Sequence, residues 1–227
     1  AIGCGKSLRD ERLAPFPRTP HAVKVHRQEY YAIVTHMDEQ IGRILDALQA
    51  SAKAERTVIF FSADHGLAVG HHGLMGKQNL FDPSVRVPLV VTGPGVAKGK
   101  RIAAPVYLQD IMPTTLDLAR APAPDHVQFR SLMPVLRGER DRSYDAIYGA
   151  YRDLQRMVAD DGYKMILYPK VPTVLLFNLR EDPLEMHNLA EAPASRPILK
   201  RLAATLQRLQ KEAGDSLDLT KAFPGMM

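Results

Sequence analysis

The sequence has a single cysteine, Cys4, among 227 residues. No disulfide can close within the chain, and no cysteine-built metal centre can form. No apolar run approaches the roughly 18–20 residues that cross a bilayer, so no membrane span is expected. No basic-then-apolar leader opens the chain. The first residue is Ala1 rather than an initiator methionine, which leaves the start open to being internal. Internal repeats and low-complexity tracts are also missing. Charge of one sign is in only slight excess: the net charge is +5, with a pI near 9.3. The basic residues fall in scattered groups, at Arg9, Arg12 and Arg18, Lys98 to Arg101, Arg137 to Arg142, and Lys200 and Arg201. A nucleic-acid partner would concentrate them on one face, so none is expected. A mild positive field instead suits an anionic substrate. Gly5-Lys6-Ser7 has the ending of a phosphate loop, but the glycine that motif needs five positions before Gly5 is absent, which argues against nucleotide binding.

What is present is an ordinary globular composition, 45% hydrophobic, and a length that fits one large domain or one and a half. Residues 1–20 read as an arm, broken by Pro15, Pro17 and Pro20. From about Ala22 to Ala50, Tyr30, Val34, Met37, Ile41, Ile44 and Leu48 recur every three or four residues, the stripe of an amphipathic helix. Asp38 sits beside that stripe and is expected to need a partner there. Thr57 to Phe61 and Val85 to Val91 read as buried strands, with Val106 to Leu108 short and extended. Asp110 is expected to cap a helix to Ala119, with Pro113 in its first turn. These alternating signals indicate an α/β core over 1–120, a Pro- and Arg-rich connection over 121–143, and a smaller α+β part over 144–227. In that last part Ala146–Tyr148, Gln155–Ala159, Tyr163–Tyr168 and Leu175–Asn178 read as an antiparallel sheet, with Asp160-Asp161-Gly162 as a turn. Ser195 and Pro197 open a final helix with a stripe of Leu199, Leu202, Leu206 and Leu209, and the tail after Gly214 is expected to fray.

The most informative stretch is Thr57 to Lys77, TVIFFSADHGLAVGHHGLMGK. Its apolar run stops abruptly at Ser62-Ala63-Asp64-His65-Gly66. An acid, an imidazole and a glycine at a strand end pack poorly but suit a metal site, with the glycine letting the backbone turn. Lys77 follows thirteen positions after Asp64. An ammonium near a divalent cation makes sense when an anion lies between them.

This stretch and its continuation resemble the sulfatase family of the alkaline-phosphatase-like superfamily. The matching pieces are Ser62-Ala63-Asp64-His65-Gly66, His72-Gly73-Leu74-Met75-Gly76-Lys77, Ser84-Val85-Arg86-Val87-Pro88-Leu89 and Gly93-Pro94-Gly95. Each is weak alone; in this order, within the 32 residues from 64 to 95 plus their flanks, they form a specific pattern. Looser matches extend from Tyr30 to Asn188, including Leu179 to Leu189.

The resemblance implies part of an alkaline-phosphatase-like α/β sandwich with a smaller C-terminal antiparallel sheet and helix. It implies hydrolysis of a sulfate monoester, on a sulfated small molecule or glycan. Asp64 and His65 fall where the family has metal ligands, with Ca²⁺ expected. Because His is softer than calcium prefers, another divalent ion, or a His that orients sulfate, also fits. Lys77 falls at a sulfate-binding lysine, and His72 at a histidine able to protonate the leaving alcohol. His71, Gln78 and Asn79 are further candidates to line the pocket, and Arg86 is expected to brace the core through a carboxylate such as Asp38. The family's nucleophile is a formylglycine made within C/S-x-P-x-R. No such motif occurs here: Cys4 is followed by Gly5, Lys6 and Ser7, and Ser195 by Arg196 and Pro197. The chain therefore reads as the C-terminal half of a sulfatase. A phosphonate monoester or phosphodiester hydrolase of the same superfamily, and a non-catalytic remnant, are the competing readings. Family habit favours the periplasm or secretion.

Overall fold

The computed structural model describes residues 14–227, so the Cys4 segment lies outside the described residues. The elements run in chain order as α1 (Pro20–Ala50), β1 (Ile59–Ser62), α2 (Asp82–Val85), β2 (Leu89–Thr92), α3 (Ile111–Leu118), α4 (Met133–Leu136), β3 (Ala146–Tyr151), β4 (Gln155–Asp160), β5 (Tyr163–Tyr168), β6 (Thr173–Asn178) and α5 (Arg196–Glu212). They divide into two compact units. One contains residues 14–76 and 87–143; the other contains 77–86 and 144–227. No helix among the described residues is long and apolar enough to cross a membrane.

The first unit begins with α1. Thr19 caps it, its hydroxyl accepting from the Ala22 amide at 3.2 Å, and Pro20 takes the first position, where a missing N–H costs nothing. The helix so starts two residues before the apolar stripe implies. Val34, Met37 and Ile44 of that stripe stay exposed, Ile44 at 68%. Asp38 is exposed as well and needs no partner. β1 and β2 form an antiparallel ribbon from Ile59 opposite Thr92 to Ser62 opposite Leu89. The expectation of fully buried strands is corrected here: Phe61 and Val90 are exposed, because a two-stranded ribbon has only its own width to hide behind. Residues 106–108 form no strand, and Leu108–Asp110 is a 3₁₀ turn. Asp110 does not cap α3 through its side chain. It is fully buried and turns back, its carboxylate accepting from the amides of Tyr107 (2.8 Å) and Arg130 (3.1 Å). Thr114 continues this polar stitching. Its hydroxyl donates to the Asp110 carbonyl and accepts from the Leu132 amide, beside buried Met133 and Val135.

The second unit is a meander, β3-β4-β5-β6, antiparallel throughout. A two-residue turn at Asp161-Gly162 joins β4 to β5, and both residues are left-handed (φ 48° and 77°), as a type I′ turn requires. The register sorts the side chains onto two faces. Val158, Met165 and Leu176 are directly opposite one another and share a face with Leu167. Against it pack Leu202 and Leu206 of α5, both fully buried and worth roughly 1.5–3 kcal/mol each. Met157, Lys164, Ile166 and Phe177 point to the opposite face, and that face is covered by residues 77–86. Phe81 meets Phe177 with ring centroids 6.0 Å apart, and Leu80 fits where Gly149 has no side chain. Both faces are covered, so β5 is buried along nearly its whole length rather than on alternate residues.

The tail after Gly214 does not fray. Leu219 and Phe223 join the α5 face of the core, and Asp215 locks the turn. Its carboxylate takes Arg156 Nε at 2.5 Å and Nη2 at 2.9 Å and accepts from the Tyr148 hydroxyl. Burial by itself would raise the Asp215 pKa. The hydrogen bonds from Arg156, Tyr148 and the Leu217 amide outweigh it and bring the group down to about 2. A depressed carboxylate pKa adds stability that is complete above the unfolded value near 4 and disappears as pH falls towards 2. Asp215→Asn is therefore expected to cost about 2 kcal/mol at pH 6 and almost nothing at pH 2. Paired denaturant melts at the two pH values check this. A difference that does not change with pH would assign the loss to packing instead.

Candidate metal and anion site

Asp64 and His65 follow directly from the end of β1, which Ser62 secures by donating its hydroxyl to the Pro88 carbonyl at 2.9 Å. Asp64 Oδ1 accepts from the His65 amide at 3.1 Å, which fixes the carboxylate on one side. His65 Nδ1 lies 2.9 Å from the Gly66 carbonyl oxygen. That oxygen can only accept, so Nδ1 carries a proton. Nε2 is 3.5 Å from Asp64 Oδ2. A proton on Nε2 or a cation lying against both atoms makes this contact attractive. The separation is also what two neighbouring ligand atoms have when each sits about 2.3–2.6 Å from one calcium-sized ion. The Asp64 side chain is 85% exposed and His65 is 32% exposed, so the pair is open to an incoming ion. Among the described residues no cluster of three or more His, Cys, Asp or Glu side chains forms. The donor chemistry fits a divalent cation.

The loop that follows is pinched at its base. The Ala68 amide donates to the Gly76 carbonyl (3.1 Å) and the Gly70 amide to the Leu74 carbonyl (2.7 Å), leaving His71–Gly73 as a single 3₁₀ turn at the tip. One residue within α1 and one just before it brace the loop. Arg27 Nε donates to the Val69 carbonyl at 2.8 Å, and Arg18 Nη1 to the Gly73 carbonyl at 2.6 Å. Gly70 is at φ 95°, and a Cβ there would come 2.2 Å from Val23 Cγ1, so no other residue allows this approach of loop to helix. His72 is held at φ 54°, a left-handed conformation unusual for a residue with a side chain, and half-buried beside His71. Backbone strain of this kind, over-determined by bracing, is characteristic of working loops.

Asp64, His65 and His72 thus belong to the first unit. Lys77 is the first residue of the second, exposed, immediately after the pinch. Asn79 is buried and accepts from the Phe81 amide through Oδ1, and the Gln78 carbonyl accepts from Gln155 Nε2 at 3.1 Å. Arg86 does not brace the core. Its guanidinium is 79% exposed and 3.5 Å from Asp82, four residues earlier in the chain. The bracing roles of Arg18 and Arg27 are not visible in the pattern of residues, because a basic residue in an arm or on a helix reads as solvated surface.

Two family models match the chain. One, described as "Sulfatase", matches residues 9–121; the other, described as "N-sulphoglucosamine sulphohydrolase, C-terminal", matches residues 70–212. The choline-sulfatase of Rhizobium meliloti is 36% identical over 186 residues, covering 78% of this chain and 36% of that protein. An arylsulfatase of Clostridium perfringens is 30% identical over 214 residues, covering 89% of this chain and 44% of that one. The chain thus spans well under half the length of either. Among solved structures, a protein in complex with its substrate D-glucosamine-2-N,6-O-disulfate superposes with a TM-score of 0.71 at 26% identity, over 81% of this chain and 40% of its own. The phosphonate monoester hydrolase of Agrobacterium radiobacter superposes with a TM-score of 0.74 at 26% identity, over 87% and 43%. With the second family model covering more than half the chain, the chain belongs to the sulfatase family.

Proposed function

We propose that the chain is the metal- and sulfate-binding portion of a sulfuric ester hydrolase that cleaves a sulfate monoester, with the nucleophile, a formylglycine, supplied by sequence beyond these residues. The observation that carries this reading is the Asp64–His65 donor pair, 3.5 Å apart at the end of β1, in a chain of this family. Asp64 and His65 would hold the cation, Ca²⁺ by family habit, whose charge offsets that of the sulfate oxygens. Lys77 contributes an ammonium that balances charge growing on the transferring group. His72, on its braced turn, donates a proton to the departing alcohol oxygen. The alcohol is a sugar or other small molecule, and location in the periplasm or outside the cell accords with such a substrate.

A phosphonate monoester hydrolase is the second reading, favoured by the likeness to the Agrobacterium radiobacter enzyme. Both readings are tested on the natural gene product, assayed with 4-nitrophenyl sulfate and 4-nitrophenyl phenylphosphonate, before and after chelation. Sulfate turnover at least about tenfold above phosphonate turnover, abolished by chelation and restored by calcium, is expected. Faster phosphonate turnover would replace the first reading by the second. Turnover untouched by chelation would remove the metal role of Asp64 and His65.

A further inference from the structure

The second unit contains a group of charges that the proposed chemistry does not use. Lys164 of β5 is fully buried, and its Nζ lies 2.7 Å from Asp82 Oδ1 and 2.7 Å from Glu185 Oε1. The other oxygen of Glu185, Oε2, accepts from the Asp82 backbone amide at 2.6 Å. Glu185 is itself 1% exposed and sits at φ 58°, a conformation that a residue with a side chain adopts only when its surroundings compel it. Burial pushes the Glu185 carboxyl up, against the pull of the Lys164 ammonium.

Buried ion groups of this kind are not the most stable way to fill a core; apolar side chains of similar volume usually do as well or better. What they provide is direction. Residues 77–86 leave the first unit at Gly76 and return to it at Val87, an excursion of ten residues onto one face of the β3–β6 sheet. Leu80 and Phe81 fasten it by apolar contact, which alone tolerates sliding. The Gln155 amide on the Gln78 carbonyl, together with the Lys164–Glu185 grip on both the amide and the carboxylate of Asp82, fixes its register. Every one of these anchors lies within five residues of Lys77 in the chain.

We infer that Lys164 and Glu185, acting through Asp82, are positioning residues for Lys77: they hold the strap that carries the sulfate-binding ammonium at a set place on the C-terminal sheet. The inference rests on the sulfate role given to Lys77 above. It makes the small sheet part of the catalytic apparatus rather than an appendage.

The test is a double-mutant cycle on the natural gene product with Lys77→Ala, Lys164→Met and the pair, together with amide hydrogen exchange over 78–82. Lys164→Met is expected to lower kcat about 10- to 100-fold, since a displacement near 1 Å suffices for that. In the Lys77→Ala background it should lower kcat by less than about threefold, because nothing remains to be positioned. Exchange over 78–82 should quicken while α5 stays protected. Equal losses in both backgrounds would overturn the inference and leave the cluster a structural one. Unchanged activity in Lys77→Ala would defeat the sulfate role itself, and the exchange data would still show whether the cluster holds the strap. If Lys164→Met does not fold, Glu185→Gln, which keeps the volume and an acceptor for the Asp82 amide, is read in the same cycle.

Discussion

On the proposed function, replacing Asp64 with alanine is expected to lower kcat/KM of the natural gene product by about 10²- to 10⁴-fold while leaving its melting temperature unchanged. The two halves of that result come from separate physics. The carboxylate is 85% exposed and, among the described residues, accepts from the His65 amide and faces the His65 ring, so its removal opens no cavity. Substitutions of that kind usually fall within about 0.5 kcal/mol of neutral. On the proposed metal role, the activity loss follows because the cation loses a charged donor and only His65 Nε2 remains of this pair. His65→Asn gives a sharper reading of which metal is used. An amide oxygen suits calcium better than a ring nitrogen, so this change should be mild with calcium and severe if the working ion is a softer one. Activity and calorimetry on the same preparations decide the matter. A fall in melting temperature equal to the fall in activity would make Asp64 a structural residue.

Lys164→Ala should be the most destabilising single change in the second unit. It leaves Asp82 and Glu185 facing one another with their shared counter-charge gone, and it opens a cavity in a fully buried strand. Removal of one member of a buried ion group costs on the order of 3–5 kcal/mol. In a chain of this size that corresponds to a drop of roughly 10 °C. Lys164→Met should cost clearly less, because the methionine fills the volume and Glu185, already displaced upward, can take up a proton. The measurement is chemical denaturation at pH 7 of all three proteins. A Lys164→Ala loss below about 1 kcal/mol would mean that the carboxylates reach water once the lysine is gone.

The parts of this fold that sequence makes legible are those whose cause is local. The strand signals of the small sheet, the Asp161-Gly162 turn and the leucine stripe of α5 each depend on neighbours a few residues away, and β5 lies at Tyr163–Tyr168 as expected. The candidate residues Asp64 and His65 stand out for a similar reason: they are adjacent in the chain, and their types break an apolar run. What escaped detection depends on distant partners. A lysine at 164 in the run Tyr-Lys-Met-Ile-Leu-Tyr reads as a solvent-facing position, and only a strap 82 residues earlier makes it a core residue. The tail looked loose because its anchor, Arg156, lies 59 residues before Asp215. Asp110 announced a helix cap, yet the amide of Arg130, twenty residues on, was the stronger claimant for its carboxylate. The stripe on α1 correctly gave a helix and said nothing about what would cover it; among the described residues Val34, Met37 and Ile44 face outwards.

The ten-residue strap also bears on how this protein can be inherited and recombined. The C-terminal unit is not a continuous stretch of gene: its sheet is encoded after residue 144, whereas the lining of one of its faces is encoded at 77–86. An exchange between relatives that crosses over once, near 144, would bring a foreign sheet against the resident Leu80, Phe81 and Asp82. Such a hybrid survives only if the newcomer brings its own equivalents of Phe177, Lys164 and Glu185. The two stretches are therefore expected to descend together, and shuffling that respects this linkage should yield far more folded hybrids than shuffling that cuts it.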